Sequence, residues 1–410
     1  MFLLPFLFIA TGLVSFALFN ITTLLQFAGW ITHQPRSPAG WFHVHLLVLG
    51  WATMIAMGAV YQLIRVVLQK DVFSRTLGYV HYVLYTVGTA GLLVGFAAGQ
   101  AQWIAIFATL AWIGIVLFVV NITLTLIQAA EWNLITLSTS CALLFLFLTG
   151  LIGLLMGLNF AFQWWPAWHE RLFYTHIWMG TIGWFGLLIT GFSYKMLPMF
   201  YLSHGVSNRT SYVVLFLWNA AVFTGAVAFL TAAPIPAVRA AVGLLTLAVY
   251  AYNMHITRIR NARHKKSPGA GVLAAVYSAR ALAVISTVAL ACTLFAPERV
   301  MDERAIVIIV WAYLWGWVAL TILGYLSKIV PFLWWTHKYG PHVGKGNIPT
   351  MADLLKDRCV AYGLAAIAAS LVVQIVSLGL NNMVWTQWSG VALSLFSLFY
   401  VCMIAKVFTR

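Results

Sequence analysis

Acidic side chains are almost missing from this sequence: Asp and Glu together number eight in 410 residues, and all charged residues make up 8%. A water-soluble domain of this length cannot be built on so little charge and 63% hydrophobic residues, so the composition points to an integral membrane protein. None of the eight carboxylates (Asp71, Glu131, Glu170, Glu298, Asp302, Glu303, Asp353 and Asp357) lies inside an apolar run; all fall in expected loops or at span ends. Proton pumps and ion-coupled transporters usually hold an acid within the bilayer, where it costs about 2.5 kcal/mol or more, so a carboxylate proton relay is not expected. Cysteine is scarce as well. Cys141, Cys292, Cys359 and Cys402 sit on four separate runs and form neither a CxxC zinc knuckle nor a CxxCH haem-attachment motif. No basic stretch precedes the first run at Phe2 and no small-residue cleavage site follows it, so it reads as a retained helix. No linker or low-complexity segment marks a second domain.

Long apolar runs are what the chain has instead. They are continuous where a transmembrane barrel would alternate over segments of about ten residues, so every span is expected to be helical. Cutting the runs at charged, Pro-rich or Gly-rich breaks places spans near Leu3 to Phe27, Phe42 to Leu68, Leu77 to Ala98, Trp103 to Ile127, Leu134 to Leu158 and Leu172 to Leu197. The second half continues near Tyr212 to Thr231, Ala237 to Ile256, Val272 to Phe295, Ala305 to Phe332, Val360 to Leu380 and Trp385 to Val407. The expected fold class is therefore all-α: one transmembrane domain, 1–410, of about 12 transmembrane helices. The net charge of +15 needs no nucleic-acid partner, because its distribution follows the bilayer. With the N-terminus cytoplasmic, 18 of the 23 Lys and Arg fall on the inner side, and only Arg36, Arg171, Arg239, Arg299 and Arg304 fall outside. That asymmetry predicts cytoplasmic N- and C-termini.

A repeat links the second, sixth and tenth spans. The second carries Gly50-Trp51, Gly58 and Tyr61-Gln62; the sixth carries Gly183-Trp184, Gly191 and Tyr194-Lys195 at the same offsets; the tenth carries Gly316-Trp317, Gly324 and Ser327-Lys328. This spacing predicts three four-helix units, about 1–130, 131–260 and 261–410, related by pseudo-threefold symmetry, with small residues admitting close helix approach.

With carboxylates excluded from the spans, histidine is the remaining candidate for chemistry, since a neutral imidazole enters a membrane at modest cost and ligates haem iron or copper. His43 and His45 open the second span and His176 opens the sixth, which places all three in the outer leaflet. His43 and His176 are repeat equivalents, each eight residues before its Trp, while the tenth span has Ile309 there. Two such imidazoles suit one bis-His haem better than a three-His copper site. His43 and His45 project about 200° apart on a helix, so one iron cannot take both. His81 lies near the inner end of the third span with His255 as its nearest counterpart; a structural role or a second haem site are both open to it. The aromatic segment Asn159 to Arg171 reads as an interfacial belt or as the roof of a pocket. Lys195 and Lys328 can snorkel at the inner surface or hold anionic groups.

These features, above all His43-x-His45-x4-Gly50-Trp51 and the sixth-span His176, resemble catalytic subunit I of the haem-copper oxidase and nitric oxide reductase superfamily over essentially the whole chain, in particular a stand-alone branch similar to NnrS-type haem and copper membrane proteins. The resemblance implies a low-spin b-type haem at His43 or His45, copper at His176, a bacterial inner membrane location and a respiratory or electron-donor partner. The chain departs from the family where the tenth span lacks its HxH pair. A standard oxygen-reducing binuclear centre and proton pumping are therefore not expected. What remains is electron transfer, or nitric oxide or oxygen chemistry at haem; the rival expectations are a haem or copper transporter using Met54, Met57, Met179, Met196 and Met199, and a non-catalytic subunit that kept the scaffold.

Overall fold

A computed structural model describes residues 2–33, 35–129, 132–343 and 348–410, so Glu131 lies outside the described residues. The chain is all-α, with no strand among the described residues, and twelve helices are long and apolar enough to cross a membrane. They are α1 (Leu3–Leu25), α2 (Pro38–Arg65), α3 (Arg75–Ala98), α4 (Ala101–Ala129), α5 (Leu134–Phe162), α6 (Pro166–Tyr201), α7 (Arg209–Leu230), α8 (Ile235–Asn261), α9 (Ala270–Phe295), α10 (Glu303–Lys338), α11 (Asp357–Gly379) and α12 (Met383–Thr409). A lipid bilayer is the environment such helices require, because only internally hydrogen-bonded backbone survives in hydrocarbon.

Local chemistry sets the helix ends; several helices run up to about two turns beyond expectation, at their starts or at C-terminal ends such as Asn261 of α8 and Lys338 of α10, and two of the starts show the cause. Helix α2 starts at Pro38, a turn before the expected Phe42, because Ser37 caps it by accepting from the Gly40 N–H at 3.3 Å and Pro38 supplies the preset φ of a first helical residue. Helix α6 runs back through Arg171, Glu170 and His169 to a 3-10 turn at Pro166–Trp168, and Glu170 sits in the first turn of the α-helical part, at the positive end of its dipole. His43 is thus in the second turn of α2 and His176 in the third turn of the α-helical part of α6, counted from His169. Asn133 and Thr136 form a reciprocal capping box on α5, and Gly99, at φ +63°, closes α3 in the left-handed region before α4 begins.

The chain divides into two compact units. One comprises Met1–Leu63, Ser267–Ser278 and Val310–Arg410; the other comprises Ile64–Lys266 and Ala279–Ile309.

The three Gly-Trp pairs share a backbone feature that was not anticipated. Each lies in a π-helical segment, Leu46–Thr53, Met179–Gly186 and Leu314–Ala319, where the helix widens to an i→i+5 pattern that is rare and concentrates at functional sites. The helices that contain them are the most buried of the twelve: 72%, 56% and 72% of their apolar windows, against at most 50% elsewhere. The glycine seven residues after each Trp meets the preceding odd-numbered helix. A Cβ at Gly58 would stand 2.8 Å from Cβ of Phe8 on α1, and one at Gly191 would stand 2.8 Å from Cβ of Ser138 on α5. At Gly324 it would run into the Gly271 backbone of α9. The repeated glycines therefore act as small-residue contact points that let backbones approach.

Candidate functional site

His43 is fully buried in the first unit, and its surroundings are almost entirely aromatic. The Trp30 indole stacks on the imidazole at 4.9 Å with an interplanar angle of 6°, and Phe42 and Phe19 meet it edge-on. Trp30 in turn meets Trp311 edge-on at 5.5 Å, and Trp311 contacts Trp315. Phe16 lies between Trp315 and Trp51, stacking on the latter at 4.1 Å. The cluster thus joins His43 to the Trp of the first Gly-Trp pair.

Hydrogen bonding orients the imidazole. Nδ1 lies 2.7 Å from the Ala39 carbonyl, one turn back on the same helix, so Nδ1 carries the proton and donates. That leaves the Nε2 lone pair. The Thr22 backbone faces the ring but offers no bond of ordinary geometry, and Nε2 is buried without a hydrogen-bond partner among the described residues. The same holds for the indole Nε1 of Trp51 and of Trp315. Leaving a buried donor or acceptor unmet costs about 1–3 kcal/mol, so three in one aromatic cluster call for an explanation. The other two cluster indoles are satisfied, Trp30 by Thr23 Oγ1 at 3.3 Å and Trp311 by Gln374 Oε1 at 2.9 Å.

His45 uses the same device on a less buried face, with Nδ1 2.8 Å from the Trp41 carbonyl. The two imidazoles are held separately, as their spacing predicts.

His176 and His81 belong to the second unit. His176 stands three residues before its π-helical segment, as His43 does, but its Nδ1 reaches the Thr149 carbonyl of α5 at 3.0 Å. Gly153, one turn further on α5, leaves space for the ring: a Cβ there would stand 3.0 Å from Cε1. His81 is buried against Phe118 and Tyr85. His255 is bonded to the Ser211 hydroxyl at 3.1 Å and meets Tyr194 edge-on, a structural arrangement. Among the described residues no three or more His, Cys, Asp or Glu side chains gather as a metal site.

The remaining candidates are peripheral. Trp164, Trp165 and Trp168 are exposed, and Asn159 ties the turn by accepting from the Trp165 N–H at 2.7 Å, the arrangement of an interfacial belt. Lys328 pairs with Asp357 at 3.4 Å, whereas Lys195 is exposed.

Two features escaped the sequence reading. Tryptophans default to interfacial belts in membrane proteins, so the burial of Trp30, Trp311 and Trp315 around a histidine had no one-dimensional signal. Arg280 did have one: it is a lone cation inside the apolar run of α9, and counting it with the inner-side charges obscured it.

No family model matches the sequence, and no curated protein matches it either.

Proposed function

We propose that this chain is a haem-binding membrane protein of the haem-copper oxidase subunit I type, in which His43 supplies an axial imidazole to a b-type haem in the outer half of the bundle. The reading rests on one observation: a fully buried imidazole whose Nδ1 proton is committed to a backbone carbonyl while Nε2 has no partner. That is the tautomer an iron ligand needs, since a carbonyl acceptor on one ring nitrogen raises the basicity of the other. Trp30, Phe19 and Phe42 surround the imidazole with apolar rings, the kind of lining an apolar macrocycle takes, so the residue types around His43 fit the group. His45 and His176 carry the same Nδ1–carbonyl arrangement and are the next candidates for iron or copper. Haem so held would supply one-electron exchange or, with an open coordination position, nitric oxide or oxygen chemistry. The residues would bind and orient it. With the described carboxylates all outside the apolar core, no proton-pumping role is proposed.

The test is optical. Purified protein made with ample haem is expected to give a sharp dithionite-reduced α band and near-stoichiometric b-haem by pyridine haemochrome. His43→Ala should abolish both, and His45→Ala and His176→Ala decide the remaining ligand assignments. A featureless wild-type spectrum would overturn the proposal and leave uptake assays to separate a transporter from a scaffold subunit.

A further inference from the structure

From residue 171 to residue 297 the chain contains no Asp or Glu, yet it carries ten Lys and Arg. Two of these arginines meet the C-terminal turns of α8: Arg258 belongs to them and Arg280 donates into them. Arg280 is the eleventh residue of α9, about 15 Å along the helix from its start, and its guanidinium turns back onto α8. Its Nη2 donates to Thr257 Oγ1 at 2.6 Å and its Nη1 to the Asn253 carbonyl at 3.2 Å. Arg258, on the same stretch of α8, donates to Thr210 Oγ1 and approaches Met254 Sδ at 3.9 Å. All four partners are neutral, and neither arginine takes part in an ion pair among the described residues.

A guanidinium within a bilayer is expensive, and it ordinarily pairs with an anion or marks a binding pathway. Here no described residue offers an anion to either cation, and the surface beside the two cations is exposed. Leu247, Tyr250 and Met254 form an exposed stripe on α8 that leads to Arg258, and Val284 and Val288 continue the Arg280 face of α9. Between the stripes, Asn253 Nδ2 donates to the Ala279 carbonyl at 2.8 Å, and the Tyr250 hydroxyl meets Thr287 Oγ1 at 3.0 Å, so the two helices form a continuous wall. Past Arg258 the positive charge continues through Arg260, Arg263, Lys265 and Lys266. That segment is held in place by the backbone pairing of Ser203 with Arg263 and by the Lys265 N–H on the Tyr201 carbonyl at 3.0 Å.

We propose that this face of α8 and α9 is a binding site for an anionic phospholipid, with Arg280 and Arg258 as the cations of its phosphate and the Leu247–Met254 and Val284–Val288 stripes as the bed for an acyl chain. Charge complementarity selects the headgroup, because a guanidinium pair with only neutral partners lacks a counter-ion that phosphate supplies in fork geometry. The adjoining apolar stripe selects a lipid over a free anion. The site does not depend on the haem reading.

The experiment uses the delipidated full-length protein in a neutral detergent, titrated separately with phosphatidylglycerol, phosphatidylcholine and inorganic phosphate, and read by native mass spectrometry and by melting temperature. Phosphatidylglycerol is expected to stay bound as a discrete adduct and raise the melting temperature. Arg280→Gln and Arg258→Gln should each weaken retention about tenfold, Arg280→Lys should weaken it less, and Lys406→Gln should leave it unchanged. Equal retention of phosphatidylcholine, or unaltered phosphatidylglycerol binding in both glutamine variants, would overturn the proposal. Displacement of the adduct by millimolar inorganic phosphate would overturn the choice of lipid. If Arg280→Gln fails to fold, Arg258→Gln alone carries the decision, since that side chain is exposed at the helix end.

Discussion

His43 and His176 occupy the same register, three residues ahead of a π-helical segment, yet they are held by different means. His43 donates to its own helix, at Ala39, and lies under a stacked indole. His176 donates across to α5, at Thr149, over a glycine that makes room for it. A bond within one helix fixes a ring independently of how that helix packs. A bond between helices makes ring orientation and helix packing one property. The first arrangement presets a ring within its own helix; the second ties the ring to the scaffold, so equivalent positions in a repeat need not have equivalent roles.

The sharpest way to break this comparison is Trp30→Ala. Trp30 is 6% exposed and walls His43, so its removal is expected to cost about 3–5 kcal/mol in denaturant unfolding and to free the imidazole while His176 stays in place. Unchanged stability would show that the cluster does not hold His43. Next come Gly58→Leu, Gly191→Leu and Gly324→Leu, each expected to cost about 1–3 kcal/mol by overpacking. Gly324→Leu should be the worst because its Cβ meets backbone, which cannot rotate away. Thermal melts of the three side by side test whether the repeated glycines share a packing role.

His176→Leu should lower stability by about 0.5–1.5 kcal/mol, the net worth of one hydrogen bond, because it unties α6 from α5. His43→Leu should show no comparable loss of helix–helix coupling when amide exchange on α1 and α2 is followed. The smallest effect is expected where α2 turns into α3. There the Arg75 guanidinium, bonded to Asp71 at 2.7 Å and assisted by Arg65 at 2.8 Å, holds the Asp71 carboxyl below the usual carboxylate range. Such a depressed group stabilises the fold above the ordinary carboxylate pKa of about 4, and the contribution disappears as pH falls through the lowered value. Because all three side chains are more than a third exposed, Asp71→Asn should cost under about 1 kcal/mol at neutral pH and nothing in strong acid. Melting curves at pH 7 and at steps down into strong acid check the sign.

Much of the fold was legible because hydropathy is additive along the chain. Twelve spans, described carboxylates kept to loops and ends, and four separated cysteines all follow from local sums, and the ends that moved include those where a Ser-Pro cap or a charged first turn extended a helix into polar sequence. The Gly-Trp spacing was also visible, and it marks the three most buried helices. Its π-helical backbone was not, since helix type depends on how a large buried ring is accommodated by neighbours. The histidines could be picked by type and depth, but not ranked.

By itself the sequence determined that this protein lives in a membrane as a bundle of about twelve helices, that its cations greatly outnumber its acids, and that two histidines share a repeat position. Only the tertiary structure decided that His43 is sealed among aromatic rings with one nitrogen unmet among the described residues, that His176 is tied to a second helix, and that Arg258 and Arg280 have neutral partners alone among those residues. Burial in lipid follows from the composition of each segment. Hydrogen-bond satisfaction and ring stacking are relations between residues far apart in the chain, and they come into being when the helices pack.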